Sequence, residues 1–278
     1  MFRKIKKNFS TIFFAIVLIV GLCIFLYPSV SNYINEKHQS KAIADYNEAL
    51  ANLSEEDYEA FWDAAIEYNE KLASSSTNFN LTDEELKEYE SILDPTGTGI
   101  MGYLEIENIG VYLPIYHGVE ESILAIGIGH LPGSSLPTGT ESTHTILSGH
   151  RGLPSAQLLT NLDQMIVGDT FVLHIMDQVF AYEVDSINIV LPNETETLGI
   201  YEGEDYVTLV TCTPYGINSH RLLVRGKRVD YNEEARLIVT SDATIYNSLT
   251  IAPFIAVPIL VIIFIIFMIR TSKRFRNK

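Results

Sequence analysis

Cys212 is the residue of this sequence best placed to act as a nucleophile. It closes the run Tyr206-Val-Thr-Leu-Val-Thr-Cys212, and Pro214 and Gly216 then enforce a turn. That pattern reads as a buried strand delivering a thiol to its end, held rigidly yet reachable from solvent. Free cysteines are commonly inert core residues. Against that, Thr211 and Thr213 flank this one and the turn follows at once, which favours partial exposure.

A thiol reacts as its thiolate, and a free cysteine has a pKa of about 8.5, so it needs a neighbouring base or cation. Seven histidines are available: His38, His117, His130, His144, His150, His174 and His220. Position alone does not select among them, and any one of them is more often structural. His150 sits in Thr145-Ile-Leu-Ser-Gly-His-Arg-Gly152, at the end of an apolar strand, with glycine on both sides of the His-Arg pair. Strand–loop junctions are a common address for catalytic groups. The cation candidate is Arg221, nine residues after Cys212 at the start of His220-Arg-Leu-Leu-Val-Arg-Gly-Lys-Arg228. If this is the return strand of a hairpin, Arg221 comes back beside Cys212, where a guanidinium can stabilise an oxyanion or pin a carbonyl. Its bland reading is a surface arginine, and Arg225 and Arg228 read as just that. His144 and His150 lack a third ligand at a recognisable spacing, so neither a metal site nor a cofactor is expected. The sequence has no G-x-S-x-G elbow, Walker motif or Cys-x-x-Cys pair.

Elements must hold these residues. From Gly99 onward, short runs rich in Ile, Val, Leu and Tyr alternate with Gly, Pro and Asn: 101–106, 111–115, 143–148, 170–175, 179–184, 206–211 and 222–228. Such spacing predicts a compact all-β sandwich or barrel. Ser155–Leu162 has helical spacing and reads as a connecting helix. Residues 32 to about 93 carry apolar positions at helical spacing (Ile43, Tyr46, Leu50, Phe61, Trp62, Ala65, Ile66, Leu72). Ser54-Glu-Glu-Asp57 and Thr82-Asp-Glu-Glu85 look like helix starts, and 74–78 breaks the pattern as a loop. This is an acidic helical arm covering the main domain.

Two uncharged apolar runs, Phe9–Tyr27 and Thr250–Ile269, are each long enough to cross a bilayer. The first exceeds a signal-peptide core and has no A-x-A-like cleavage site after it. Arg3, Lys4, Lys6 and Lys7 precede the first run, and five basic residues follow the second; neither tail holds an acid. The positive-inside rule then makes both termini cytoplasmic and places residues 30–249 outside. Nine of the 19 basic residues lie in the tails, leaving ten against all 35 acids in between. So acidic a surface repels nucleic acid, which is excluded as a partner. Cys23 lies inside the first run and cannot pair with Cys212, and a single unpaired thiol on an exported domain invites suspicion of reactivity.

With Leu209-Val-Thr-Cys-Thr-Pro-Tyr-Gly-Ile-Asn-Ser-His-Arg-Leu-Leu-Val-Arg-Gly226 laid out, the chain closely resembles the sortases, and within them the pilus-assembling class C. Met101-Gly-Tyr-Leu-Glu-Ile, Leu113-Pro-Ile-Tyr-His-Gly118, Gly129-His-Leu-Pro-Gly-Ser-Ser-Leu-Pro137 and Leu147-Ser-Gly-His-Arg-Gly-Leu-Pro154 also match family segments. The resemblance implies a mainly β fold: an eight-stranded barrel with short connecting helices, an N-terminal helical arm, a lid loop and two transmembrane helices. The expected order is a basic cytoplasmic tail (1–8), an anchor (9–28), an extracellular arm (29–93), a lid (94–99), the catalytic barrel (100–232), a linker (233–249), a second span (250–269) and a basic tail (270–278). The family's catalytic cysteine, histidine and arginine fall on Cys212, His150 and Arg221.

Class C lids often carry Asp-Pro followed by an aromatic. Here Asp94 and Pro95 are followed by Thr96, which implies a lid held by polar contacts, with Asp94 able to pair with Arg221. The implied reaction is transpeptidation at an LPXTG-like sorting signal, joining membrane-tethered pilin subunits through a lysine amine. Anchoring to a peptidoglycan precursor is the alternative within the fold. A catalytically silent membrane scaffold, or a secreted thiol protease, would be of another class.

Overall fold

The computed structural model describes residues 9–74, 79–231 and 256–266. The basic tails, the 233–249 linker and both ends of the second apolar run lie outside the described residues; of that run, Ala256–Ile266 is helical. The chain divides into two compact units, Met1–Ile34 with Thr244–Lys278, and Asn35–Ala243. Among the described residues one helix, α1 (Phe9–Ala51), is long and apolar enough to cross a membrane.

The second unit is built on a closed eight-stranded barrel, as the resemblance implied. Its strands are β1 (Ile100–Ile106), β2 (Val111–His117), β3 (Ile128–His130), β4 (Thr143–Ser148), β5 (Thr170–Ile175), β6 (Gln178–Val190), β7 (Asp205–Thr213) and β8 (His220–Val229). Around the barrel they run β1-β2-β3-β4-β7-β8-β6-β5. β2–β3 and β4–β7 are parallel pairs; the other neighbours are antiparallel. Side chains alternate between the two faces of each strand. Leu104, Ile115, Leu147, Leu173, Val207, Leu209 and Val224 fill the interior and are fully buried.

The arm docks on this barrel. After α1 come α2 (Glu55–Ser74) and α3 (Asp83–Ser91). Both expected helix starts form: the Ser54 hydroxyl accepts from Asp57 N at 3.2 Å while Ser54 N donates to the Asp57 carboxylate at 3.2 Å. Thr82 and Glu85 make the same reciprocal pair at 3.3 and 2.8 Å. Each such cap stabilises its helix by about 1 kcal/mol. Tyr46, Leu50, Ala65 and Tyr89 of the arm belong to the same hydrophobic cluster as the barrel interior. Their polar ends are satisfied: the Tyr46 hydroxyl donates to Met101 O and accepts from Met176 N, both at 2.8 Å. The Asn69 side chain pairs with both backbone groups of Leu136, at 2.9 and 2.8 Å. Trp62 of α2 donates to Asp177 at 3.1 Å.

Three readings need correction. Ser155–Leu162 forms turns, not a helix. Its amides serve the neighbouring loop (Leu159 N donates to His150 O at 3.1 Å), and Leu158 adopts φ 42°, which no α-helix contains. Ala156, Leu158, Leu159 and Leu162 are all buried, so the apolar spacing records a packed loop. β6 also runs on to Val190, and the short β3, with Gly129 at its centre, carried too little pattern to be noticed.

Candidate active site

Strand register assembles the site. β7 and β8 pair antiparallel with Cys212 directly opposite Arg221. β4 and β7 pair in parallel, ending at Ser148 opposite Val210. The chain keeps that course past β4: Gly149 N donates to Val210 O at 3.0 Å, and the Thr211 hydroxyl donates to Gly149 O at 2.8 Å. Two residues on, an Arg151 Nη donates to the Thr213 hydroxyl at 3.3 Å. His150 is thereby bracketed beside Cys212. Directly paired residues share a face, and β6 adds Val190 opposite Arg221. A row His150–Cys212–Arg221–Val190 thus runs from the segment after β4 across β7, β8 and β6, and all four side chains are half-buried.

This row lies on the outer face. Thr211 and Thr213 point inward and are buried, whereas Val210 and Cys212 keep partial exposure. Beside it on the outer face, Ile146, Leu198 and Leu223 form a second, smaller hydrophobic cluster with Val190, Val210, Leu131 and Phe79 packed against it. The catalytic candidates therefore adjoin an apolar patch that lies outside the barrel core.

The glycines flanking His150–Arg151 have separate reasons. A Cβ on Gly149 would lie 2.8 Å from Ile128 Cδ1 and 2.8 Å from Leu159 Cδ1, so the backbone approaches too closely for any side chain. Gly152 adopts φ +79°, and a Cβ there would meet the Tyr215 ring at 2.9 Å. Arg151 locks the turn between them: its guanidinium donates to Thr160 O at 3.2 Å, bonds Asp163, and lies 5.9 Å from the Tyr215 ring centroid. The loop carrying the histidine is thus tied to the loop that follows the cysteine.

His150 Nε2 lies 3.1 Å from both carboxylate oxygens of Glu121, a residue sequence reasoning missed. Glu121 opens the four-residue helix α4 (Glu121–Leu124) between β2 and β3, and nothing in its local sequence points 29 positions ahead. Arg221 donates to the carbonyls of Asn218 (3.3 Å) and His220 (3.2 Å) at the hairpin tip.

The other histidines divide cleanly. His117, His130 and His144 are buried, and both ring nitrogens of each lie within hydrogen-bond reach of a partner. Burial pushes their pKa values down, to about 3 for His130 and about 4 for His144. His174 pairs with Glu105 at 3.0 Å and stacks on Tyr103.

The 94–99 segment folds on itself. The Asp94 carboxylate accepts from the Thr96 hydroxyl (3.0 Å), Thr98 N (3.2 Å) and Gly99 N (2.9 Å), and Pro95 is half-buried within the turn. Gly99 O in turn faces His117 Nδ1 at 3.0 Å. Asp94 and Arg221, each in its own hydrogen-bond set, make no ion pair with each other in this structure. The aromatic that packs against the second cluster on this face is Phe79. Arg225 and Arg228 are not the plain surface cations their strand positions suggested. Arg225 forks onto Asp185 at 3.0 and 2.7 Å and lies 4.3 Å from the Tyr206 ring centroid, while Arg228 lies 4.6 Å from that of Phe180.

Comparison with known proteins agrees with this fold. A family model described as Sortase domain matches residues 104–229. The crystal structure of sortase C1 from Streptococcus agalactiae is 47% identical, with a TM-score of 0.68 over 69% of this chain and 100% of that one. Sortase C of Streptococcus pneumoniae, whose structure is described as informing pilin substrate specificity, is 45% identical over 69% and 97%, TM-score 0.62. Sortase C of Clostridium perfringens, solved with the C-terminal cell wall sorting motif, is 41% identical over 69% and 100%, TM-score 0.62. The curated Sortase A of Streptococcus agalactiae is 26% identical over 151 residues, 52% of this chain and 61% of that protein. The chain belongs to the sortase family of cysteine transpeptidases, with class C sortases as its structural neighbours.

Proposed function

We propose that this chain is a pilus-assembling class C transpeptidase acting at an LPXTG-like sorting signal. The observation that carries the proposal is the row His150–Cys212–Arg221, set by strand register on one half-exposed face. The Cys212 thiolate attacks the carbonyl of the signal's threonine, and the new S–C bond leaves a tetrahedral oxyanion. Arg221 supplies the donor that holds this oxyanion; one such donor is worth about 3–4 kcal/mol in an oxyanion hole. As the C–N bond breaks, His150 gives its proton to the leaving amine, and a thioester on Cys212 remains. A lysine amine of another pilin then attacks. Its proton passes to His150, the S–C bond breaks, and an isopeptide bond joins the two subunits.

The relatives' substrates support this reading: the Streptococcus pneumoniae sortase C is described in terms of pilin specificity, and that of Clostridium perfringens was solved with its sorting motif. Two spans with both termini cytoplasmic would keep the row close to substrates emerging from the bilayer. For that topology the support is α1 and the charge bias of the tails. The 94–99 segment, cross-tied by Asp94, serves in this reading as a polar lid, with Phe79 as the apolar cover of the same face. Alkylation of Cys212 in Thr96→Trp tests the lid: slowing supports it, whereas an unchanged rate leaves the cover to Phe79 alone. Purified shaft pilin mixed with the full chain tests the activity. Ladders on a denaturing gel that vanish in Cys212→Ala support polymerisation; transfer to a peptidoglycan stem amine without ladders would establish wall anchoring instead.

A further inference from the structure

We infer that Glu121 is a positioning residue for His150, fixing which ring nitrogen exchanges a proton with the reacting groups. This inference rests on the reading of Cys212 and His150 given above. A carboxylate only accepts, so the 3.1 Å contacts to His150 Nε2 require that nitrogen to carry a proton. The neutral imidazole is then the Nε2–H tautomer, and its basic lone pair sits on Nδ1. In the imidazolium, the Nδ1 proton is the one free to leave. Nδ1 makes no hydrogen bond among the described residues, which leaves it available to the thiol and the departing amine.

The backbone that carries Glu121 is fixed by its own turn and packs against the barrel. Ile123 N and Leu124 N donate to Glu120 O at 2.9 and 3.0 Å, and Ala125 N donates to Glu121 O at 3.0 Å. α4 sits against β3 so tightly that a Cβ on Gly129 would meet Leu124 Cδ2 at 3.0 Å. β3 pairs with β4 through Gly129 opposite Ser148, two residues before His150. Glu121, His150, Cys212 and Arg221 therefore follow the strand order β3-β4-β7-β8. Arg151 fixes the histidine's backbone from the other side through Thr160, Asp163 and Thr213. The imidazole is thus constrained at its backbone and at one nitrogen, and the other nitrogen is left to work.

Glu121 is well exposed, its side chain at 79%, so its charge acts weakly. Orientation is its larger contribution, because a small misplacement of a catalytic group is costly. The test uses the full-length chain in nanodiscs, labelled with 15N-histidine, with His150→Gln to assign the resonance. Long-range proton–nitrogen spectra report which ring nitrogen is protonated, without reference to activity. The native protein should show the Nε2–H tautomer. Glu121→Gln, whose amide oxygen still accepts, should keep the tautomer and slow acylation of Cys212 by an LPXTG peptide roughly two- to five-fold. Glu121→Ala should give mixed tautomers and roughly ten-fold slower acylation. A native Nδ1–H tautomer, or a Glu121→Ala protein unchanged in both tautomer and rate, would overturn the inference. Failure of the underlying reading looks different: acylation would then survive Cys212→Ala or His150→Ala.

Discussion

His144 and His150 lie six residues apart, the first near the start of β4 and the second just beyond its end, with the same parity. Their surroundings share almost nothing. His144 is 1% exposed; its Nδ1 faces Gly199 O at 2.8 Å and its Nε2 the Thr208 hydroxyl at 2.7 Å. Its pKa is held down to about 4 by burial, so it stays neutral and serves as a cross-strand strut. His150 is half-buried, meets one exposed carboxylate, and keeps its other nitrogen unoccupied among the described residues. What separates the strut from the proposed catalyst is what covers each ring. The loop carrying Leu198 and Gly199 closes over the first, and over the second the face stays open.

The largest expected break of this contrast is a crossed pair of substitutions. His150→Ala should lower transpeptidation at least 100-fold with little change in melting temperature, since general acid–base groups contribute about 10²–10⁴. His144→Ala should do the reverse. Orphaning the Thr208 hydroxyl and Gly199 carbonyl costs about 1–3 kcal/mol, while activity per folded molecule is kept. Thermal melts and single-turnover acylation on both variants check this. If His144→Ala were folded and inactive, the division between strut and catalyst would be wrong.

Next in size is Arg221→Ala, expected to slow acylation roughly 100-fold, with Arg221→Lys restoring part of the rate. Arg225→Ala, two rows and four residues away, should spare the rate. It should instead lose stability, because it removes the fork onto Asp185 and the stack on Tyr206. Rates and melts of the three variants would expose any equivalence between the two arginines.

The pH dependence of stability sharpens the same division. His117, His130 and His144 have folded pKa values below the ordinary histidine value of 6.5, two of them at about 3 and 4. The unfolded chain therefore binds more protons than the folded one between about pH 4 and 6.5, and stability falls as pH drops through that window. Asp205, pushed up by burial to about 6, works in the opposite sense, since the folded state holds its proton more tightly. Three histidines outweigh one aspartate, so denaturant midpoints should be lower at pH 5 than at pH 7.5. His144→Gln should reduce that difference. A midpoint independent of pH would contradict the neutral, buried assignment.

The smallest expected effect concerns the cover. Phe79 packs against the same small cluster of Ile146, Leu198 and Leu223 as Val190, the row neighbour of Arg221, and Val210, two residues before Cys212. Phe79→Ala should raise the alkylation rate of Cys212 several-fold without abolishing transpeptidation, as read by iodoacetamide kinetics.

The His150–Cys212–Arg221 part of the row was legible in the sequence because it depends on local facts. An apolar run ends at Cys212, a short loop returns to Arg221, and an apolar strand ends at Gly-His-Arg-Gly. Hairpin closure then sets one pairing, and the motif match set the other. Glu121 and Phe79 were not legible, since each reaches the site through a tertiary contact that leaves no mark on nearby spacing. Glu121 looks like any exposed acid in a strongly acidic domain, and Phe79 like a loop aromatic next to Asn80. The Ser155–Leu162 segment misled for a related reason: four buried side chains in eight residues mimic helical spacing when a loop packs on every side. Arg225 and Arg228 were underestimated because the aromatic rings beside them come from other strands or loops.

The most direct test of the account is to trap the intermediate. The full-length chain incubated with an LPXTG peptide, quenched in acid and digested, should yield one peptide-mass adduct, on the fragment containing Cys212. That adduct should be absent in Cys212→Ala, and should form at least 100-fold more slowly in His150→Ala. Peptide cleavage that proceeds with no adduct on Cys212, or with the adduct on another residue, would contradict it.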